Sequence, residues 1–177
     1  MDAEVLDFPD QHFDAVVCRW GLMFLPNLGT SLSEIHRVLQ PGTHFATSVW
    51  DVPPKVPFIS MAFRLAQEMF ELPPPPPGTP TLFGLAQGNL EQAMEKAGFT
   101  NIHSETLTVT TDFASVEELC SYLRDIAAPI MALLANQTVE KQAQFWDAFS
   151  DAARTYANEN GQIQIPNSTI CVVGKKS

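Results

Sequence analysis

Apolar positions come in two patterns along this chain, short continuous runs and helical stripes, and the two alternate. Phe13 to Arg19, FDAVVCR, holds Ala15, Val16, Val17 and Cys18 without a polar break. So short a run reads as a strand, and its lack of alternation predicts a parallel sheet covered on both faces. Leu28, Leu32, Ile35 and Leu39 then recur at helical spacing. Ser31 and Glu34 stand at capping-box distance near the helix start, and QPG at 40–42 predicts its stop. THFATSVW, 43–50, is a second strand, and strand–helix–strand at this length is a right-handed parallel crossover.

The second half is more helical. After the proline-rich loop DVPPKVPF, the residues Phe58, Met61, Ala62, Leu65 and Met69 stripe one helix. LPPPPPG, 72–78, cannot be helix and predicts an extended polyproline spacer; a ligand for a proline-binding module is the alternative. Asn89 with Gln92 is placed to cap a short helix ending at KAGF, 96–99, and the Thr-rich NIHSETLTVTTDF, 101–113, reads as a strand. Ser115 with Glu118 caps another helix. Phe145, Phe149, Ala152 and Tyr156 stripe a long one from about 138 to 158, and STICVV, 168–173, is a last strand.

Composition narrows the classes. The chain has 177 residues, enough for one domain with a core, and 45% hydrophobic against 17% charged residues argues for a folded globule. Its net charge of -10, with no Lys/Arg cluster, speaks against nucleic acid as a partner and suits a neutral or cationic small molecule. Cys18, Cys120 and Cys171 are scattered and odd in number, which fits a reducing, cytoplasmic setting. No apolar run approaches membrane-spanning length, so no membrane association is expected.

The order of elements, together with three stretches of sequence, resembles a class I S-adenosylmethionine-dependent methyltransferase of the UbiE-like small-molecule type, in its C-terminal portion. DAEVLDFPDQHFDAVVCRWGLMFLPN is similar to that family's segment from the end of strand 3 through strand 4. LSEIHRVLQPGTHFATSVW resembles its helix D, LxPGG turn and strand 5, with Thr43 in place of the second glycine. LEQAMEKAGF and STICVVGKK match the helix before strand 6 and the final antiparallel strand. The fold this implies is α/β: the C-terminal half of a Rossmann-like sheet, strands 4, 5, 6 and 7, with strands 1–3 missing. Residues 1–177 would form one truncated domain, with 51–87 and 115–158 as an inserted helical cap.

The resemblance also implies chemistry. The cofactor would be S-adenosyl-L-methionine and the acceptor a small, hydrophobic molecule. Asp2 and Ala3 take the positions of the acid and following N–H that read an adenine edge, with Glu4 beside them. Arg19 and Trp20, where the first strand runs out, fall where the family makes cofactor contacts, and Met23 and Phe24 fall where it meets the acceptor. The aromatic rings of Trp20 and Phe24 offer a wall to the adenosyl group or the sulfonium. Arg19 could hold a carboxylate or pair with Asp14 or Glu34.

Other features limit that reading. No two of the nine glycines stand as GxG, so the family's cofactor loop is absent, and no histidine singles itself out as a catalytic base. No metal-ligand spacing occurs. The competing reading is a non-catalytic methyltransferase-like interaction module. The open edge of the first strand would then invite self-association or a covering partner.

Overall fold

A computed structural model describes residues 2–73 and 79–177. Most of the proline run, 74–78, lies outside the described residues, so the expected polyproline spacer does too. In chain order the elements are β1 (Phe13–Arg19), α1 (Leu28–Val38), β2 (Leu39–Trp50), α2 (Pro57–Met69), α3 (Asn89–Lys96), β3 (Phe99–Phe113), α4 (Val116–Ile126), α5 (Ala128–Ala135), α6 (Val139–Arg154) and β4 (Ile163–Lys176). One mixed sheet forms in the order β1-β2-β4-β3. β1 and β2 are parallel, with Val16 opposite Phe45 and Arg19 opposite Ser48. β2 and β4 are antiparallel, with Phe45 opposite Gly174 and Ser48 opposite Cys171.

The chain divides into two compact units. The first comprises Met1–Val52, Gly78–Thr108 and Ser168–Ser177. Its core lies on one side of the sheet, where Leu32 and Ile35 of α1 and Leu90 and Met94 of α3 meet Phe45, Val49, Phe99 and Val172. Glycine is required at one point of this packing. A Cβ on Gly174 would stand 2.7 Å from Met94 Cε and 3.1 Å from Phe99 Cβ. β4 lies flat against α3 because that position is empty.

The second unit comprises Pro53–Pro77 and Val109–Asn167. Its core joins α2, α4, α5 and α6 through Phe145, Phe149, Leu119, Ile130 and Leu134, with Ile163 and Ile165 of β4. Asn167 is buried here and fully used: its side chain accepts from Phe58 N–H at 3.0 Å and donates to Ile165 O at 2.9 Å. That bond satisfies an orphan donor in the first turn of α2, whose preceding residue, Val56, has no capping side chain.

Several sequence expectations need correction. The sheet of the first unit is not covered on both faces, since Val17, amid the apolar run of β1, is 75% exposed. Ser31 and Glu34 form no capping box. α1 starts a turn earlier, after Asn27, so Ser31 Oγ bonds back to Asn27 O at 3.1 Å and Glu34 turns to Arg37. Asn89 is not the cap of α3 either. Gly88, at φ +84°, occupies that position, and Asn89 donates to Gly84 O. QPG is drawn into β2, which follows α1 directly, and β4 runs well beyond 168–173 at both ends. Ser115 does cap α4: its Oγ accepts from Glu118 N–H, while the Glu118 carboxylate reaches back to Ala114 N–H, one residue before the cap. Among the described residues no helix is long and apolar enough to cross a membrane.

Candidate functional site

Open α/β sheets bind ligands beyond the carboxyl ends of their parallel strands, here the ends of β1 and β2 in the first unit. β1 ends in a strained turn. Trp20 has φ +52°, a conformation a bulky side chain rarely takes and one that costs about 1–3 kcal/mol. Four contacts hold it there. Its N–H donates to Ser48 O at 2.9 Å, and its indole Nε1–H donates to Thr169 Oγ1 at 3.0 Å. Its ring stacks on Trp50 at 4.4 Å, and the Arg19 guanidinium lies 5.1 Å from its centroid. Thr169 Oγ1 in turn donates to Val49 O at 2.9 Å, so the indole is tied to the ends of β2 and β4 together.

Gly21 completes the turn. A Cβ there would stand 2.8 Å from Cys18 Sγ. The chain then makes a short 3-10 turn, Leu22–Phe24, which buries Leu22 and Met23 and leaves Phe24 68% exposed.

The N-terminal segment docks beside this turn. Asp2 Oδ1 accepts from Glu4 N–H at 2.9 Å, closing an Asx turn, and Glu4 Oε1 accepts from Asn27 N–H at 3.1 Å. Behind it stands a clamp of ionic and backbone bonds. Arg37 donates to Leu6 O, Phe8 O, Asp10 and both oxygens of Glu34, all within 2.9 Å. Glu34 Oε2 also accepts from Leu6 N–H. The bonds from Arg37, and after them the bond from Leu6 N–H, pull the Glu34 carboxyl down to about 2, and the pairing with Glu34 raises the Arg37 guanidinium.

The expected site residues therefore fall into two groups. Of Asp2, Ala3 and Glu4, Glu4 is tied to Asn27 at the start of α1, and Asp2 to Glu4 within the Asx turn. Arg19 and Trp20 sit at the end of β1, but one face of the Trp20 ring is taken by Trp50. Met23 is buried and Phe24 exposed. Glu34, one partner considered for Arg19, is committed to Arg37. Sequence reasoning missed Trp50, Asp51 and Thr169. Asp51 follows β2 directly and is buried, accepting from Val52 N–H at 2.7 Å and Ser168 Oγ at 2.9 Å. An acid at the carboxyl end of a parallel strand is a signal that could have found it. Among the described residues no group of His, Cys, Asp and Glu is placed to hold a metal.

Known proteins are similar to this chain in part of its sequence and in its fold. Residues 1–47, from the Asx turn into β2, match the family model described as a methyltransferase domain. The Rhodopseudomonas palustris ubiquinone/menaquinone biosynthesis C-methyltransferase UbiE is 43% identical over 44 residues, 25% of this chain and 17% of the relative. The 2-phytyl-1,4-naphtoquinone methyltransferase of Synechococcus elongatus is 47% identical over 45 residues, 25% and 19%. Sterol 24-C-methyltransferase ERG6B of Gibberella zeae is 32% identical over 110 residues, 60% of this chain and 27% of that one. Among solved structures, a Bacillus halodurans protein described as a candidate methyltransferase aligns with TM-score 0.55 at 18% identity, covering 99% of this chain and 75% of that one. The YcgJ protein of Bacillus subtilis gives 0.52 at 17%, covering 98% and 68%. The fold is that of the α/β methyltransferases. Within it, residues 1–47 resemble methyltransferases of the UbiE-related type, and the matched region spans 17–27% of the length of these curated relatives.

Proposed function

We propose that this chain serves an S-adenosylmethionine-dependent methyl transfer to a small apolar acceptor, contributing the adenine-reading and strand-end part of the enzyme. One observation carries this reading: the methyltransferase-domain match covers residues 1–47, the same stretch that builds the Asx turn, β1 and its strained end. The relatives' names point to quinones and a sterol, which are apolar molecules, and this supports an apolar acceptor here. The helical second unit is proposed as the cap of the acceptor site. Its Phe58, Phe113 and Tyr122 rings lie within 6.3 Å of one another, with Tyr122 46% exposed.

In the same reading β1, β2, β4 and β3 correspond to strands 4, 5, 7 and 6 of the family's sheet, parallel and then antiparallel as observed. The outer edge of β1 is where that family's remaining strands pair.

The residues present fit one end of the cofactor. Ala3 N–H donates to no described residue, and Asp2 keeps one carboxylate oxygen beyond the Asx turn. Together they offer an acceptor and a donor, the two kinds of group an adenine edge pairs with. No two of the nine glycines stand as GxG, so these residues offer no glycine-rich loop for the methionine end. No chemical step is therefore assigned to this chain's own residues. The chain's part is to read the adenine and, with Trp20 locked by Trp50 and Thr169, to hold a rigid wall at the strand ends.

An NMR titration of the amide-labelled chain with adenosylmethionine, and with adenosine alone, tests this. Both ligands are expected to shift the Ala3, Glu4 and Gly21 amides at millimolar concentration, and Asp2→Ala should weaken both several-fold, the cost of about one charge-assisted hydrogen bond. Absence of shifts at Ala3 and Glu4, or shifts that Asp2→Ala leaves intact, would sink the adenine-reading role.

A further inference from the structure

The corner that joins α6 to β4 carries the sequence Ala157-Asn158-Glu159-Asn160-Gly161-Gln162. Of the seven asparagines in the chain, Asn160 is the one that precedes a glycine. It is exposed, and so is Gly161. Gly161 has φ +79°, and a side chain begun there would meet nothing within 4 Å. Its backbone nitrogen is therefore unshielded, next in the chain to an exposed side-chain amide. Asn167, by contrast, precedes a serine and has its side chain buried and bonded at both ends.

Asn158 holds this corner closed. Gly161 N–H donates to Asn158 O at 2.9 Å. The side-chain Oδ1 of Asn158 accepts from both Asn160 N–H and Gln162 N–H at 3.0 Å. Asn158 N–H donates to Gln162 O at 2.9 Å, and its Nδ2 donates to Gln162 Oε1 at 3.0 Å. The backbone N–H groups of 160, 161 and 162 thus all end on one residue. Just outside the corner Ala157 pairs with Ile163, which is buried in the core of the second unit.

We propose that Asn160 is a site of slow covalent modification by water, to aspartate and isoaspartate, and that Asn158 restrains it. The Gly161 nitrogen attacks Asn160 Cγ and gives up its proton to solvent. The side-chain nitrogen of Asn160 leaves as ammonia, and a five-membered succinimide closes between residues 160 and 161. Water then opens the ring at either carbonyl, which yields aspartate or isoaspartate. The net change is one water taken up and one ammonia released. In the closed corner the attacking nitrogen directs its N–H at Asn158 O, so the reaction waits on local opening. Both products add a negative charge to a chain already at -10. Isoaspartate also inserts an extra main-chain carbon, which the bonds to Asn158 cannot span unchanged.

Incubation of the 177-residue chain at mildly alkaline pH, followed by tryptic digestion in mild acid and mass spectrometry, reads this directly. Trypsin releases Thr155–Lys175, which holds Asn158, Asn160 and Asn167, so each digest carries its own comparison. Conversion is expected at Asn160, as a mixture of aspartate and isoaspartate, with Asn167 unchanged. Asn158→Ala should speed it about fivefold or more, through loss of the hydrogen bonds that close the corner. Unfolding in guanidinium chloride should speed it further. Gly161→Ala should slow it, because a β-carbon shields the attacking nitrogen even though it strains the corner at that φ. That opposite direction separates the chemistry from simple loosening. An Asn160 that stays intact in both the native chain and Asn158→Ala would overturn the proposal. So would conversion as fast in the native chain as in guanidinium chloride, or a rate that Asn158→Ala leaves unchanged.

Discussion

The two faces of the sheet in the first unit are built from the same four strands and obey opposite rules. On the helix side, Phe45, Val49 and Val172 are buried, and even one extra methyl at Gly174 would collide with Met94. On the other side Val17 and Leu107 are exposed and a groove runs across the strands. Strand alternation alone separates Phe45 from Ala46. The difference shows that an apolar residue in a strand stabilises the monomer only where something covers it. An uncovered one is available for association.

The largest break in this comparison is on the covered face. Phe45→Ala removes a fully buried ring packed against Phe99, with ring centroids 5.6 Å apart. The expected cost is about 3–5 kcal/mol, a transfer loss plus a cavity that α1 and α3 cannot close. Urea denaturation would measure it. A loss under about 1 kcal/mol would mean that the covered face packs loosely and that the contrast between the faces is false.

A smaller effect comes from the clamp that fastens the N-terminal segment to α1. Glu34 titrates near 2 in the folded chain, against an ordinary value of 4.5. Its folded value is depressed, so its stabilising contribution is complete above about 4.5 and is lost as the pH falls toward 2. Glu34→Gln removes that contribution at neutral pH. The variant is therefore expected to be less stable than the wild type at pH 7 and to converge with it between 4.5 and 2. Parallel curves across that window would show that the Arg37 pairing does not tell folded from unfolded chain. The result sharpens the comparison because this clamp lies with α1 and leaves the open face untouched.

Much of the architecture could be read from the pattern of residues. Phe13–Arg19 and the stripe of Leu28, Leu32, Ile35 and Leu39 each signal their element, and the two strands they join are parallel as the crossover rule requires. What failed has a physical cause. A continuous apolar run such as Ala15 to Cys18 looks the same whether one face is covered or two, so exposure of Val17 was illegible. Ser31 and Glu34 satisfied a cap by spacing, but the helix took its first turn from Asn27, and Arg37 competed for the Glu34 carboxylate. At the candidate site, the Asx turn is local, spanning only Asp2 to Glu4. The Trp20–Trp50–Thr169 anchor joins residues 30 and more apart, and a positive φ at a tryptophan contradicts local preference, so no local signal could announce it.

The smallest expected effect is the most discriminating. Val17→Thr keeps the shape of the side chain and adds a hydroxyl where the residue is 75% exposed. Its stability should change by less than about 0.5 kcal/mol. A hydroxyl is costly only where it is buried without a partner, so thermal unfolding of variant and wild type should give melting curves that coincide. A separation would mean that Val17 is covered within the single chain, and the two faces would no longer differ in the way the fold describes.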